Sequence, residues 1–260
     1  MYTDFEIIQK QFKNEITIIP LSDLHLGAKN CMLKEIKDTI KMIENTPNCY
    51  TVLVGDIIDN GVITGKGLGV YDNELSPMQQ IERAVELLRP IKNKILACIS
   101  GNHEDRSEKA VNINPMYLVC CELGISDVYR NNLAILKINL GTRQNNDGNG
   151  RRQSYTLLIH HGKGTSESAI KKDLEFIGKF EGVDGIITGH THNPRNAKFE
   201  KIVIDNHNNT IKKREISIIV CNSFLREADY ALKSMLVGAN NSISKVKLLK
   251  GLKKKIEITF

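Results

Sequence analysis

An α/β fold is expected from two patterns that alternate along the chain. Short, strongly apolar runs at 16–21, 50–54, 94–100, 155–159 and 183–188 have the length and composition of buried strands. Between them lie segments whose apolar residues recur at helical spacing, as at positions 32, 33, 36, 40 and 43. A third feature places a site: each of these runs stops at a polar cluster rich in Asp, His, Asn or Gly, and open α/β sheets hold their ligands at the carboxyl ends of strands.

In chain order, residues 1–15 are mixed and polar and read as an edge strand or an arm. The strand at 16–21 precedes a helix over 32–44, and a second buried strand at 50–54 ends at Gly55-Asp56. Residues 60–76 hold four glycines and read as a long loop, a length usually reserved for lids or disorder. Pro77 opens a helix through Leu88, with Ser76 as its N-cap. A strand at 94–100, a short helix at 114–122 with Pro115 in its first turn, and an alternating strand at 133–140 follow. Residues 141–153 are Gly/Asn-rich and flanked closely by strands, so they read as a hairpin connection. Next come a strand at 155–159, a helix at 166–176 and a strand at 183–188. A hairpin over 197–221 turns at Asn206-His207-Asn208-Asn209. The last forty residues read as a short helix at 228–236, then one or two strands ending in Lys-rich segments. No repeat or internal boundary is visible, so 1–260 is expected to be one domain.

At 260 residues the chain is long enough to bury a full core. No apolar run reaches the ~18–20 residues needed to cross a bilayer, and residues 1–14 lack a signal-peptide pattern. These observations argue against a membrane partner and lead us to expect a cytoplasmic protein. The cysteines at 31, 49, 98, 120, 121 and 221 form no CxxC pair and sit mostly in apolar runs, as buried free thiols do. Disulfides and a structural zinc site are not expected. A net charge of +6 permits an anionic substrate without requiring one.

The chemistry lies in five strand-terminal segments: Asp23-x-His25, Gly55-Asp56-x-x-Asp59, Gly101-Asn102-His103-Glu104, His160-His161 and Gly189-His190-Thr191-His192. An isolated Asp-x-His is no signature; the recurrence of strand followed by ligand-type residue is. Carboxylate, imidazole and amide oxygen together suit a hard-to-borderline divalent ion: manganese first, with iron, zinc, magnesium, cobalt or nickel as alternatives. There are about enough ligands for two ions, and one carboxylate would then bridge them and offset their repulsion.

In this order the five motifs resemble the calcineurin-like metallophosphoesterases, over residues 16 to 192. The resemblance implies a two-sheet β-sandwich flanked by helices, with a dinuclear metal site at the strand ends. It implies Asp23, His25 and His192 as ligands of one metal, Asn102, His160 and His190 as ligands of the second, and Asp56 as the bridge. His103 resembles the non-ligand histidine that stabilises the transition state or protonates the leaving oxygen. Strand alternation lets only one of His160 and His161 face the metals; the resemblance favours His160, because a ligand histidine usually closes that strand. Asp59 is either a turn carboxylate or a hydrogen-bonding support for a ligand. Ser22 reads as an orienting hydroxyl and His207 as an exposed turn residue.

The implied reaction is phosphoester hydrolysis by a metal-bridging hydroxide, with no covalent intermediate. The metal core does not choose the substrate. Arg143, Arg151 and Arg152, with Lys245, Lys247, Lys250, Lys253, Lys254 and Lys255, would form a basic track in a nuclease or a solvated face otherwise. Aromatic residues are few, and Tyr71 is the best stacking candidate. A phosphodiesterase or nuclease is placed ahead of a phosphomonoesterase or protein phosphatase, so the partner is a phosphoester, nucleic acid among the candidates. A non-catalytic scaffold of the same fold ranks below these, because every ligand position is filled. Oligomeric state is left open.

Overall fold

The computed structural model describes residues 6–62, 73–141, 152–165, 167–226, 242–251 and 253–260. Two six-stranded sheets stack on one another. In the first, β1 (Ile7–Phe12), β6 (Leu133–Leu140), β7 (Gln153–His160), β8 (Gly185–Thr188), β10 (Thr210–Val220) and β9 (Arg195–Asp205) lie side by side in that order. The second runs β12 (Ile256–Thr259), β11 (Lys245–Leu248), β2 (Ile16–Ile18), β3 (Cys49–Val54), β4 (Ile95–Ile99) and β5 (Tyr129–Arg130). The strands that end at the motifs are parallel neighbours: β2, β3 and β4 in one sheet, β7 and β8 in the other. Their carboxyl ends therefore meet at one edge of the sandwich.

The two sheets share one apolar core. Ile18, Val52, Leu53, Val54 and Cys98 from the second sheet pack in the same cluster as Leu136, Ile138, Leu157 and Ile159 from the first. Helices α1 (Leu33–Asn45), α2 (Pro77–Leu88) and α4 (Pro115–Leu123) cover the outer face of the second sheet through Ile36, Ile43, Ala84, Leu88, Val119 and Leu123. Helix α5 (Ala169–Ile177) covers the first sheet, where Ala169 and Ile177 join Leu158, Ile186 and Ile218 in a separate cluster. The result is helices, sheet, sheet, helix, the architecture that the family resemblance implies.

Local rules placed most elements. Ser76 caps α2 in a reciprocal box with Gln79, and Pro77 occupies the first turn. The hairpin turns between Asp205 and Thr210 as expected. The N-terminal region contributes an edge strand, β1, parallel to β6. Helix α3 (Glu104–Val111) was not foreseen: its mean hydropathy is low and it buries only Glu104 and Ser107. All six cysteines are unpaired, four of them buried. Most of the loop expected over 60–76, including Tyr71, lies outside the described residues. So do most of 141–153, with Arg143 and Arg151, and the helix expected at 228–236. No helix among the described residues is long and apolar enough to cross a membrane.

Candidate metal centre

The loops after β2 and β3 run side by side, zipped by backbone hydrogen bonds. Asp23 N–H donates to Gly55 O, His25 N–H to Asp56 O and Leu26 N–H to Ile57 O, at 3.0–3.1 Å. Gly189 N–H donates to His161 O, which brings the loop after β8 to the end of β7. In these loops Asp23, His25, Asp56, His190 and His192 all adopt left-handed backbone, with φ between 46° and 68°. Each such residue costs on the order of 1 kcal/mol or more and persists because the surroundings impose it. Two glycines are required by close approach. A Cβ on Gly101 would strike the Asp56 carboxylate and backbone nitrogen, and one on Gly189 would strike Ser22 Oγ and Asp23 Oδ2.

Three overlapping groups of side chains result: Asp23 with His25 and His192, His25 with Asp56 and His103, and Asp56 with His161 and His190. In the first, Asp23 Oδ1 lies 3.1 Å from His192 Nε2 and 3.9 Å from His25 Nε2. The two imidazole Nε2 atoms are 3.3 Å apart. Asp23 Oδ2 accepts from the Ser22 hydroxyl and from His190 N–H. Oδ1 is buried without a hydrogen bond of sound geometry, an arrangement that is costly unless another group meets it. In the second half of the site, Asp56 Oδ2 lies 3.1 Å from His161 Nε2. Asn102 Oδ1 faces both His161 Nε2 at 3.0 Å and His190 Nδ1 at 2.7 Å.

The other nitrogens of the rings are engaged in ways that fix the tautomer. His25 Nδ1 donates to Asp59 Oδ1 (3.0 Å), and His161 Nδ1 donates to the Val54 carbonyl (2.7 Å). Each leaves Nε2 facing the cluster, the usual support for a metal-binding imidazole. This donor set of carboxylate, imidazole and amide oxygens, with the orphaned Asp23 Oδ1 at its centre, fits divalent ions.

One expectation is corrected here. The histidine facing Asp56 and Asn102 is His161, not His160. Along β7, Leu157 and Ile159 enter the core between the sheets while Leu158 joins the cluster under α5. His160 continues on the Leu158 face: its ring packs at a tilt on Phe176 of α5, with centroids 5.1 Å apart, and its Nδ1 accepts Gly162 N–H. Strand alternation then delivers His161 to the inner face. The structure brings Asp23, His25, Asp56, Asn102, His103, His190 and His192 together with it.

Electrostatics bind the cluster. Burial would raise the Asp23 carboxyl, but His192 beside it holds it down to about 2. Burial also opposes ionisation of Asp56 and Asp59, and is outweighed by His161 at Asp56 and by His103 and His25 at Asp59; both stay well below the carboxylate range. His161 is lowered by burial, yet Asp56 carries it up to about 10. Burial lowers His25 and His190.

Sequence reasoning passed over three supports. Glu104, fully buried, accepts four backbone N–H groups: Asp56 and Gly101 at Oε2, Ile57 and Ile58 at Oε1, all within 3.1 Å. Asn60 donates to His103 O, and Gln80 accepts Asn60 N–H. Glu104 stood in the third motif, next to two site residues, which was its signal; Asn60 and Gln80 carried none. Asp59 takes the supporting position: Oδ1 contacts His25 Nδ1 and, at 3.2 Å, His103 Nδ1, while Oδ2 accepts from Asn73. In the tail, Lys247, Lys254 and Lys255 are ion-paired with Glu15, Asp184 and Glu257. Asp184 precedes β8, whereas His190 follows it, so Lys254 is at the end of the sheet away from the centre.

Two stacked sheets with a carboxylate–imidazole cluster at their common edge define a metal-binding α/β sandwich protein. The sequence profile of the calcineurin-like phosphoesterases matches residues 16–194, and the chain belongs to that family. Comparison with curated protein sequences returns no match. Among solved structures, similarity extends to a predicted phosphoesterase of Streptococcus pneumoniae. The two share 12% identity over 94% of this chain and 88% of that one, with a TM-score of 0.37. Wild-type Vps29 of Entamoeba histolytica complexed with zinc shows 12% identity over 94% and 98%, TM-score 0.40. The NAD nucleotidase of Haemophilus influenzae shows 9% over 94% and 49%, TM-score 0.41.

Proposed function

We propose that this chain is a phosphoester hydrolase using two divalent ions, acting on phosphodiesters, nucleic acid included, ahead of phosphomonoesters. The observation that supports it best is the pair of clusters around Asp23 and Asp56, linked through His25 and Asp56, with the buried Asp23 Oδ1 left without a hydrogen bond. Asp23, His25 and His192 would hold one ion, Asn102, His161 and His190 the other, and Asp56 would serve both. Ions held there supply Lewis acidity toward the phosphoryl oxygens and hydroxide near neutral pH. His103 keeps its Nδ1–H on the Asp59 carbonyl at 2.7 Å, so Nε2 is the atom that takes up a proton and then hands it to the leaving oxygen. Glu104 and Asn60 hold the backbone under Asp56 and His103, so these groups keep their places during the reaction. A phosphodiester preference draws on the net charge of +6 and on the arginines of 141–153. The unpaired cysteines support a cytoplasmic setting.

The test is hydrolysis of bis-p-nitrophenyl phosphate with Mn²⁺, alongside single- and double-stranded DNA, RNA, cyclic nucleotides and monoesters. Activity should vanish on chelation and return with metal. Full activity after exhaustive metal removal would sink the reading. Steep loss of DNA cleavage with salt would favour a nuclease.

A further inference from the structure

Arg106 lies in the first turn of α3, three residues beyond His103, and is half-buried. Its guanidinium donates through Nη1 to the Asp59 carbonyl oxygen at 3.1 Å and through Nη2 to His103 Nε2 at 2.9 Å. Neither acceptor is a carboxylate. Asp59, whose carbonyl it touches, turns its carboxylate oxygens to His25, His103 and Asn73 instead. Among the described residues no carboxylate is within ion-pair distance of Arg106. The buried Arg130 and the half-buried Arg214 do have such partners, Glu6 at 3.9 Å and Asp184 at 2.8 Å.

A guanidinium withdrawn from water is ordinarily met by an anion, and its planar fork suits carboxylate and phosphate oxygens. Here the counter-charge is missing at the one place where a phosphoryl group would arrive. Because His103 Nδ1 carries the hydrogen given to Asp59 O, its Nε2 presents the lone pair that Arg106 meets. The guanidinium thus occupies the ring atom that faces substrate in the hydrolase reading, on which this inference rests. We propose that Arg106 is the cation that receives the substrate phosphoryl group. It exchanges His103 Nε2 for a non-bridging phosphoryl oxygen, which satisfies its charge and frees the Nε2 lone pair to take up a proton from water, the proton that Nε2 then gives to the leaving oxygen. A lysine has the charge but not the fork, and would serve in part.

The experiment uses the full chain loaded with Mn²⁺, as wild type, Arg106→Gln and Arg106→Lys, with inorganic phosphate as the probe. Calorimetry reads phosphate affinity, steady-state kinetics on bis-p-nitrophenyl phosphate separates KM from kcat, and elemental analysis reads metal content. Loss of a charge-assisted contact should weaken phosphate binding and raise KM by about 10- to 100-fold in Arg106→Gln, and less in Arg106→Lys. Metal content should not change, and added guanidinium ion should restore part of the affinity. Unchanged phosphate affinity and KM with a lower kcat would overturn the proposal and make Arg106 a residue that only orients His103. Should the Gln variant fold poorly, the Lys variant is judged by the same criterion. A wild type that hydrolyses nothing while phosphate affinity still falls in the variants would overturn the hydrolase reading and keep the anion site. A wild type that hydrolyses the diester but binds no phosphate would overturn this inference and leave the hydrolase reading standing.

Discussion

Glu104 and Asp56 are joined through the backbone: Glu104 Oε2 accepts the Asp56 N–H at 2.9 Å, and the same oxygen accepts Gly101 N–H at 2.8 Å. One buried carboxylate thus ties the loop after β3 to the loop after β4, the two that carry Asp56, Asn102 and His103. Burial raises its pKa, with the Asp56 charge adding to the effect.

That arrangement predicts a stability defect. In Glu104→Gln the amide oxygen can keep one pair of backbone donors, but the NH₂ then faces the other pair. Unsatisfied buried N–H groups cost roughly 1–3 kcal/mol each, so urea denaturation should show a loss on the order of 3 kcal/mol. Metal affinity should fall with it. A change below about 0.5 kcal/mol, the usual range for surface substitutions, would show that the loops hold themselves.

His161→Ala should lose metal, read as ions per chain by elemental analysis after equilibration with Mn²⁺. His160→Ala should keep full metal content and most of its activity, because His160 only packs on Phe176 and accepts Gly162 N–H. The reverse result would restore the expectation drawn from sequence.

Asp56 takes part in two of the three ligand groups and Asp23 in one. Asp56→Asn should therefore lower the affinity for both ions and Asp23→Asn mainly for one. Equal two-site isotherms for both variants would remove Asp56 from the bridging position.

For His103→Ala, metal content should hold while turnover on a diester with a poor leaving group falls by about 10²–10⁴. The defect should shrink with p-nitrophenolate, which departs without a proton. Loss of one ion would make His103 a ligand.

Asp173 on α5 predicts a pH effect on stability. Burial pushes its carboxyl up from 3.8 to about 6, against the Thr188 hydroxyl, which donates to it. As pH rises from ~4 to ~6 the unfolded chain ionises first, so stability falls through that window and stays lower above it. The upper bound is about 3 kcal/mol at 1.36 kcal/mol per unit. Asp173→Asn, which can still accept from Thr188, should raise the melting temperature at pH 8 and leave it unchanged below pH 4. A flat difference across pH would refute the shift.

Several things follow from the sequence alone. Apolar runs ending in Asp23, Asp56, Asn102 and Gly189 are visible because burial on both faces demands continuous hydrophobic strands, and the Ser76–Pro77 helix start is a local rule. That the five motifs lie at strand ends was legible from the apolar runs before them, and the ligand set came from the family resemblance. Which way β7 faces was not legible. Leu157, Leu158 and Ile159 are apolar on both sides, since one side meets the second sheet and the other meets α5. No local property of His160 or His161 distinguishes them; their parity is set by where α5 packs. Glu104 stood in the third motif, but its role was silent, because its partners are backbone N–H groups that every residue carries. The left-handed turns at Asp23, His25, Asp56, His190 and His192 are unfavourable for the residues themselves and exist only because loops from both sheets bind one another. Strand ends and residue types are local properties of the chain, whereas facing and strain are decided by what packs against what.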